Sequence, residues 1–203
     1  MFSTCEELRR WFWERGLWDA ADDICLSGCV LEGRVGKMVF SVSPTMRVFD
    51  YSPDVVVLHH SPVLKHGRER VLYNEKFFYR ALEEGVSVFA FHFPLDRHPV
   101  YSTSLNLARH LGVHVQGFFA EGFGVFGTLD DRRVSVIAGA GSSLVREAFK
   151  YGDVLITGEL KESALTLAEE LGEVKLLGHR FSETFGLRRL MRDLAPDAVF
   201  VEP

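Results

Sequence analysis

The chain has 203 residues, 47% hydrophobic and 25% charged, the balance of an ordinary soluble globular protein with enough length to bury a core. No run approaches the roughly 18 apolar residues that a membrane helix needs, and the opening MFSTCEELRRW lacks the basic-then-apolar order of a secretion signal. A formal net charge of −5 argues against broad nucleic-acid affinity, which relies on basic surface. Cys5, Cys25 and Cys29 cannot all pair, so they read as reduced thiols of a cytoplasmic protein. Cys25-x3-Cys29 has no second cysteine pair to complete a metal site, which favours buried apolar thiols there.

The elements follow in chain order. Thr4-Cys5-Glu6-Glu7 has capping-box spacing, and Leu8, Trp11 and Phe12 recur at helical intervals, predicting a helix over 5–15 that Gly16 ends. A strand around 35–42 and the turn-rich Ser43-Pro44-Thr45 precede DVVVLHHSP at 54–62, where Val55 to Leu58 read as a strand buried on both faces. Asn74 caps a helix, EKFFYRALEE, that stops at Gly85. Strand 86–91 leads into HFPLD, and Ser102 starts a helix to Leu111. A Phe- and Gly-rich stretch, 115–129, then separates this half from a second series. That series has strands at 134–138, 153–157, 174–177 and 198–201 and helices at 143–150, 161–171 and 183–194. The alternation predicts an α/β fold of mostly parallel sheets covered by helices. The lobe boundary is placed near 118–126, giving residues 1–120 and 121–203. The apolar GFFAEGFGVF there reads as a subunit contact or as local packing under a loop.

Three stretches carry chemistry. His59 and His60 stand where a buried strand opens into a loop, the crevice position at the carboxyl ends of an α/β sheet. Neighbouring strand side chains point opposite ways, which suits two separate ions, or one ion and a supporting role. The alternative is a pair of solvated loop histidines. In HFPLD and the following Arg97-His98-Pro99, Asp96 is a hard oxygen ligand with His92 or His98 as support; alternatively Asp96 only forms a turn. In Gly178-His179-Arg180-Phe181-Ser182-Glu183, a helix begun by His179 puts His179 and Glu183 on one side, whereas Ser182 as cap leaves Glu183 to complement the helix dipole. Together these give three imidazoles and two carboxylates, a set for two cations about 3.5–4 Å apart with a bridging water. Mixed N/O donors suit zinc, iron, manganese or nickel without selecting among them.

Two further motifs are weaker. Gly139-Ala140-Gly141-Ser142-Ser143 joins a strand to a helix, either as a phosphate cradle or as a tight turn; it lacks the third glycine of a dinucleotide fingerprint and the lysine of a P-loop. Glu159, after Thr157-Gly158, is a general base or substrate contact, or else the acidic first-turn residue of the next helix.

HHSP, HFPLD and GHRFSE, in that order with GAGSS and ITGE between the last two, resemble the GTP cyclohydrolase I type 2 homologues, also called Ngg-interacting-factor-three-like or YbgI-like dinuclear-metal proteins. The resemblance runs over essentially the whole chain. It implies His59, His60, Asp96, His179 and Glu183 as ligands of two divalent metal ions per chain. It also implies a two-lobed subunit whose C-terminal part, about 172–203, packs back on the first lobe, and a toroidal homohexamer. This chain departs from the family in a second lobe trimmed between about 115 and 133, and in LSGCVLEG where relatives carry NSGLQVG. The function expected is a metal-dependent hydrolase that opens a purine nucleotide ring, GTP being the named substrate, with Glu159 and His92 as catalytic candidates. Its rival is a non-catalytic metal-binding protein, a metal- or cofactor-trafficking scaffold or a transcription-related interaction partner.

Overall fold

The structure is a computed structural model and describes residues 2–18 and 24–202. In chain order its elements are α1 (Cys5–Glu14), β1 (Gly28–Leu31), β2 (Met38–Ser41), β3 (Val55–Leu58), β4 (Val63–His66), β5 (Glu69–Leu72), α2 (Glu75–Glu83), β6 (Ser87–Ala90) and α3 (Phe93–Asp96). There follow α4 (Thr103–His110), β7 (His114–Phe119), β8 (Gly124–Leu129), β9 (Arg132–Ala140), α5 (Val145–Tyr151) and β10 (Val154–Glu159). The last are α6 (Glu162–Leu171), β11 (Glu173–Leu176), α7 (His179–Leu194) and β12 (Val199–Val201). They divide into two compact units, Met1–Leu95 with Leu190–Pro203, and Asp96–Arg189. No helix among the described residues is long and apolar enough to cross a membrane.

The first unit holds a sheet in the order β1-β6-β3-β2-β12, parallel except for its edge strand β1. All four residues of β3 are buried, as its unbroken apolar run requires of a central parallel strand. Successive side chains feed opposite faces. Val39, Val56, Leu58 and Val88 pack with Phe77 and Ala81 of α2, while Phe12 of α1 sets its ring 5.2 Å from Phe89 and 4.4 Å from Phe91. Helix α1 begins where the capping box predicts, Thr4 Oγ1 accepting from the Glu7 amide at 3.2 Å. The polar hairpin β4–β5, with β5 largely exposed, has no apolar alternation and carries no strand signal in the sequence.

In the second unit the order is β11-β10-β9-β8-β7, parallel from β11 to β9 and antiparallel from there to β7. Its two faces again alternate. Val134, Val136, Val154 and Ile156 meet α4, whereas Ile137 and Leu155 meet the α5–α6 side through Ala148 and Ala168. The stretch 115–129, expected as a separator, is instead the strand pair β7–β8. Its glycines hide the strand period because they make room for aromatic rings: a Cβ on Gly117 would come within 2.8 Å of the Phe126 ring. Strand β11 stays with this sheet, and the first unit takes back only the chain from Leu190 on, through β12 beside β2.

Candidate metal centre

In the first unit the parallel ladder positions three imidazoles. Leu58 of β3 pairs with Ala90 of β6, so His59 and His60 on one strand extension run beside Phe91 and His92 on the next. The pairing continues past the strand ends: the Phe91 amide donates to the Leu58 carbonyl at 3.0 Å and the His60 amide to the Val42 carbonyl at 2.8 Å. Ligand atoms of His59, His60 and His92 all lie within 4.8 Å of one another. The opposite orientation expected for adjacent histidines is not seen; the rings of His59 and His60 stand 4.7 Å apart, because the regular strand ends at Leu58 and both residues lie in a bend.

The hydrogen bonds around these rings prepare them for a cation. His59 is fully buried and its Nδ1 is 2.9 Å from the Phe91 carbonyl oxygen, which can only accept. The neutral ring therefore carries its proton on Nδ1 and its lone pair on Nε2, the tautomer a metal ligand requires. His60 Nδ1 lies 3.1 Å from the Ser43 hydroxyl. Three imidazoles with no thiolate fit a divalent ion of the zinc, iron, manganese or nickel kind.

In the second unit α7 begins at His179 rather than at Ser182, so the first of the two sequence alternatives holds. His179 and Glu183, one turn apart, meet at 3.0 Å from Nε2 to Oε1. Glu159 closes on the other ring nitrogen, its Oε1 3.0 Å from Nδ1, so it is bonded to a predicted ligand rather than simply acidifying the start of α6. Asp96, at the end of α3, accepts from the Thr103 hydroxyl at 2.6 Å. Thr103 in turn lies under α7, where a Cβ on Gly186 would come within 2.5 Å of the Tyr101 carbonyl oxygen and 2.8 Å of Thr103 Cα. The bond that orients Asp96 and the helix that carries Glu183 thus share one close helix–helix approach. His98 is buried, its Nδ1 accepting from the Val100 and Tyr101 amides at 3.0 Å each, which places it as a support of that turn.

The glycine motifs form the seat for α7. Ser182 Oγ accepts from the Gly139 amide at 2.8 Å and donates to the His179 carbonyl at 2.6 Å. Gly139 has φ of +69°, and a Cβ there would collide with Glu183 Oε1. A Cβ on Gly158 would come within 2.5 Å of Ser182 Oγ and 3.0 Å of His179 Cα. GAGSS is therefore a tight turn whose bare first glycine lets the α7 carboxylate come close. Thr103 is a residue that sequence reasoning does not single out, while Ser182 enters it only as a possible helix cap and Ser43 only as part of a turn. Only Ser182 sits inside a ligand motif.

His179 is flanked by two carboxylates, and its pKa rises from 6.5 to about 9. The hydrogen bond to Glu183 is the largest cause, with the charges of Glu183 and Glu159 and the bond to Glu159 adding to it against the effect of burial. The folded value lies above the unfolded one, so this cluster contributes stability in full below pH 6.5 and loses it as pH rises through about 9. A cation must displace that proton. Metal affinity of the metal-depleted protein is expected to strengthen about tenfold per pH unit between pH 7 and about 9, then level off. Titration calorimetry in buffers of different ionisation enthalpy checks this; an affinity flat across that window contradicts it.

The fold and these side chains define an α/β protein of two sheet-based units with donor groups for divalent metal. The chain belongs to the Duf34/NIF3 (NGG1p interacting factor 3) family, whose model matches residues 4–133 and 131–200. It is 29% identical to a GTP cyclohydrolase 1 type 2 homolog of Archaeoglobus fulgidus, with 89% of this chain and 90% of that one covered. It is 28% identical to one of Borreliella burgdorferi, over 80% and 79%. Among solved structures, the protein ybgI, described as of unknown function, matches with a TM-score of 0.84 at 24% identity, covering 98% of each chain. TTHA1606 from Thermus thermophilus matches at 0.79 with 22% identity, covering 98% and 97%. The family resemblance and the α/β fold read from the motifs are thereby confirmed.

Proposed function

We propose that this chain is a metal-dependent hydrolase in which His59, His60, Asp96, His179 and Glu183 bind two divalent ions per chain. The observation that carries the reading is the tautomer lock on His59, a fully buried imidazole whose Nδ1–H is held by a backbone carbonyl within a group of three. Two such ions supply an activated water and stabilise negative charge on the reacting group. The chain's own residues do the rest. Glu159 orients His179 and Thr103 orients Asp96. His92, its ring 5.1 Å from His59 and 5.6 Å from His60, is assigned to proton transfer beside the ligands.

Relatives carry the name GTP cyclohydrolase 1 type 2 homolog, which directs the substrate reading to a purine nucleotide opened by ring hydrolysis. The same reading takes the protein as cytoplasmic, in keeping with its reduced cysteines, and as a toroidal homohexamer. The test is incubation of GTP with protein loaded in turn with zinc, manganese, iron and nickel, and separation of the products. Ring-opened nucleotide is expected from the wild type and none from His60→Ala. A fully metal-loaded protein that turns over neither nucleotides nor amide compounds would transfer the function to the non-catalytic scaffold.

A further inference from the structure

The three imidazoles of the first unit form a donor set complete within one sheet. His59 and His60 are successive residues beyond β3, and the ladder that pairs Leu58 with Ala90 sets His92 beside them. The His92 backbone is tied on its other side as well, its amide donating to Ser27 Oγ at 3.4 Å just ahead of β1. Ligand atoms of the three rings lie within 4.8 Å of one another. Three nitrogens on one tetrahedral zinc, each about 2.0–2.1 Å from it, stand about 3.3 Å apart. Closing that gap takes only small ring rotations, and the pattern of burial allows them. His59 is fully buried and anchored on the Phe91 carbonyl, whereas His60 and His92 are half-buried. In the second unit His179 Nε2 is 3.0 Å from Glu183 Oε1, so an ion bound by that pair has first to part them.

We propose that His59, His60 and His92 together bind one divalent ion, and that this three-histidine site is the first to load. His92 is then a metal ligand of the one-ion protein. The Nδ1–H of His59 is spent on the Phe91 carbonyl, so the ring offers Nε2 to the ion. Three imidazoles with neither carboxylate nor thiolate choose zinc, nickel, copper or iron over magnesium and calcium, which need oxygen donors. They also leave a fourth tetrahedral position open to water. The backbone bonds that hold the set all lie within the first unit: Phe91 amide to Leu58 carbonyl at 3.0 Å, His60 amide to Val42 carbonyl at 2.8 Å, and His92 amide to Ser27. The site therefore stands on the geometry of that unit alone. Only the later step rests on the proposed function: when the two-ion centre forms, His92 leaves the ion, and its ring becomes available for proton transfer.

The test gives metal-stripped, full-length protein one zinc per chain and records X-ray absorption at the zinc edge. Three imidazole nitrogens are expected in the wild type and two in His92→Ala. Competition with a chromophoric chelator is expected to show that His92→Ala takes up this first ion more than about 100-fold more weakly, beyond the effect of losing a residue that only orients a ligand. The double variant His179→Ala, Glu183→Ala is expected to keep the first ion with the wild-type spectrum. An oxygen-rich first ion in the wild type, an unchanged spectrum and affinity in His92→Ala, or loss of the ion from the double variant would overturn the proposal and leave the two-ion reading standing. A wild type that holds a single ion on three imidazoles even in excess zinc would support this site and refute the two-ion centre.

Discussion

Glu183→Ala is expected to strip the protein of at least one of the two proposed ions and to abolish the proposed nucleotide-ring hydrolysis while leaving the fold intact. Glu183 is 4% exposed and its carboxylate is the largest cause of the raised His179 pKa. Its loss removes one predicted ligand and loosens a second, because the Glu183 bond that helps orient His179 goes while the Glu159 bond stays. Disturbing a residue that merely orients a ligand lowers metal affinity about 10- to 100-fold. Removing a ligand must exceed that, so Glu159→Gln is expected to fall within this range and Glu183→Ala beyond it. Metal content by plasma mass spectrometry after dialysis ranks the two variants. Equal retention by both would mean that Glu183 is not a ligand.

Gly158→Ala should damage metal binding without replacing any proposed ligand. Its φ is ordinary, so the added methyl acts by contact alone, against Ser182 Oγ, the Gly139 carbonyl and His179 Cα. Overpacking of this kind costs about 1–3 kcal/mol, and here the element forced to move is the first turn of α7. Gly67 is the control. It lies at the tip of the β4–β5 hairpin at φ +58° with nothing within 4 Å of an added Cβ. Gly67→Ala is expected to lose about 1–2 kcal/mol from its left-handed backbone and keep its metal. Melting temperature and metal content measured together separate the two cases. A Gly158→Ala protein with wild-type metal content would show that the α7 seat has slack.

The ligand motifs were readable because each consists of charge or imidazole placed abruptly after a buried apolar run, as in Val55–Leu58 followed by His59-His60. The His179–Glu183 spacing likewise announces itself once a helix is assumed. What holds these groups was not readable. A glycine such as Gly139 or Gly158 signals only the lack of a side chain, and its meaning depends on α7, which packs against it from far along the chain. Thr103 looks like one more first-turn residue of α4 until its hydroxyl is found on Asp96. Strands β7 and β8 were missed for a related reason: Phe alternating with Gly is a strand pattern only when the opposing ring is known.

Crystals of the metal-loaded protein, with anomalous scattering recorded on each side of the candidate metal absorption edges, test the dinuclear centre most directly. Two peaks per chain are predicted, bonded among them to His59, His60, Asp96, His179 and Glu183. A single ion, or a pair held without His179 and Glu183, would contradict the dinuclear assignment, and the proposed chemistry would go with it.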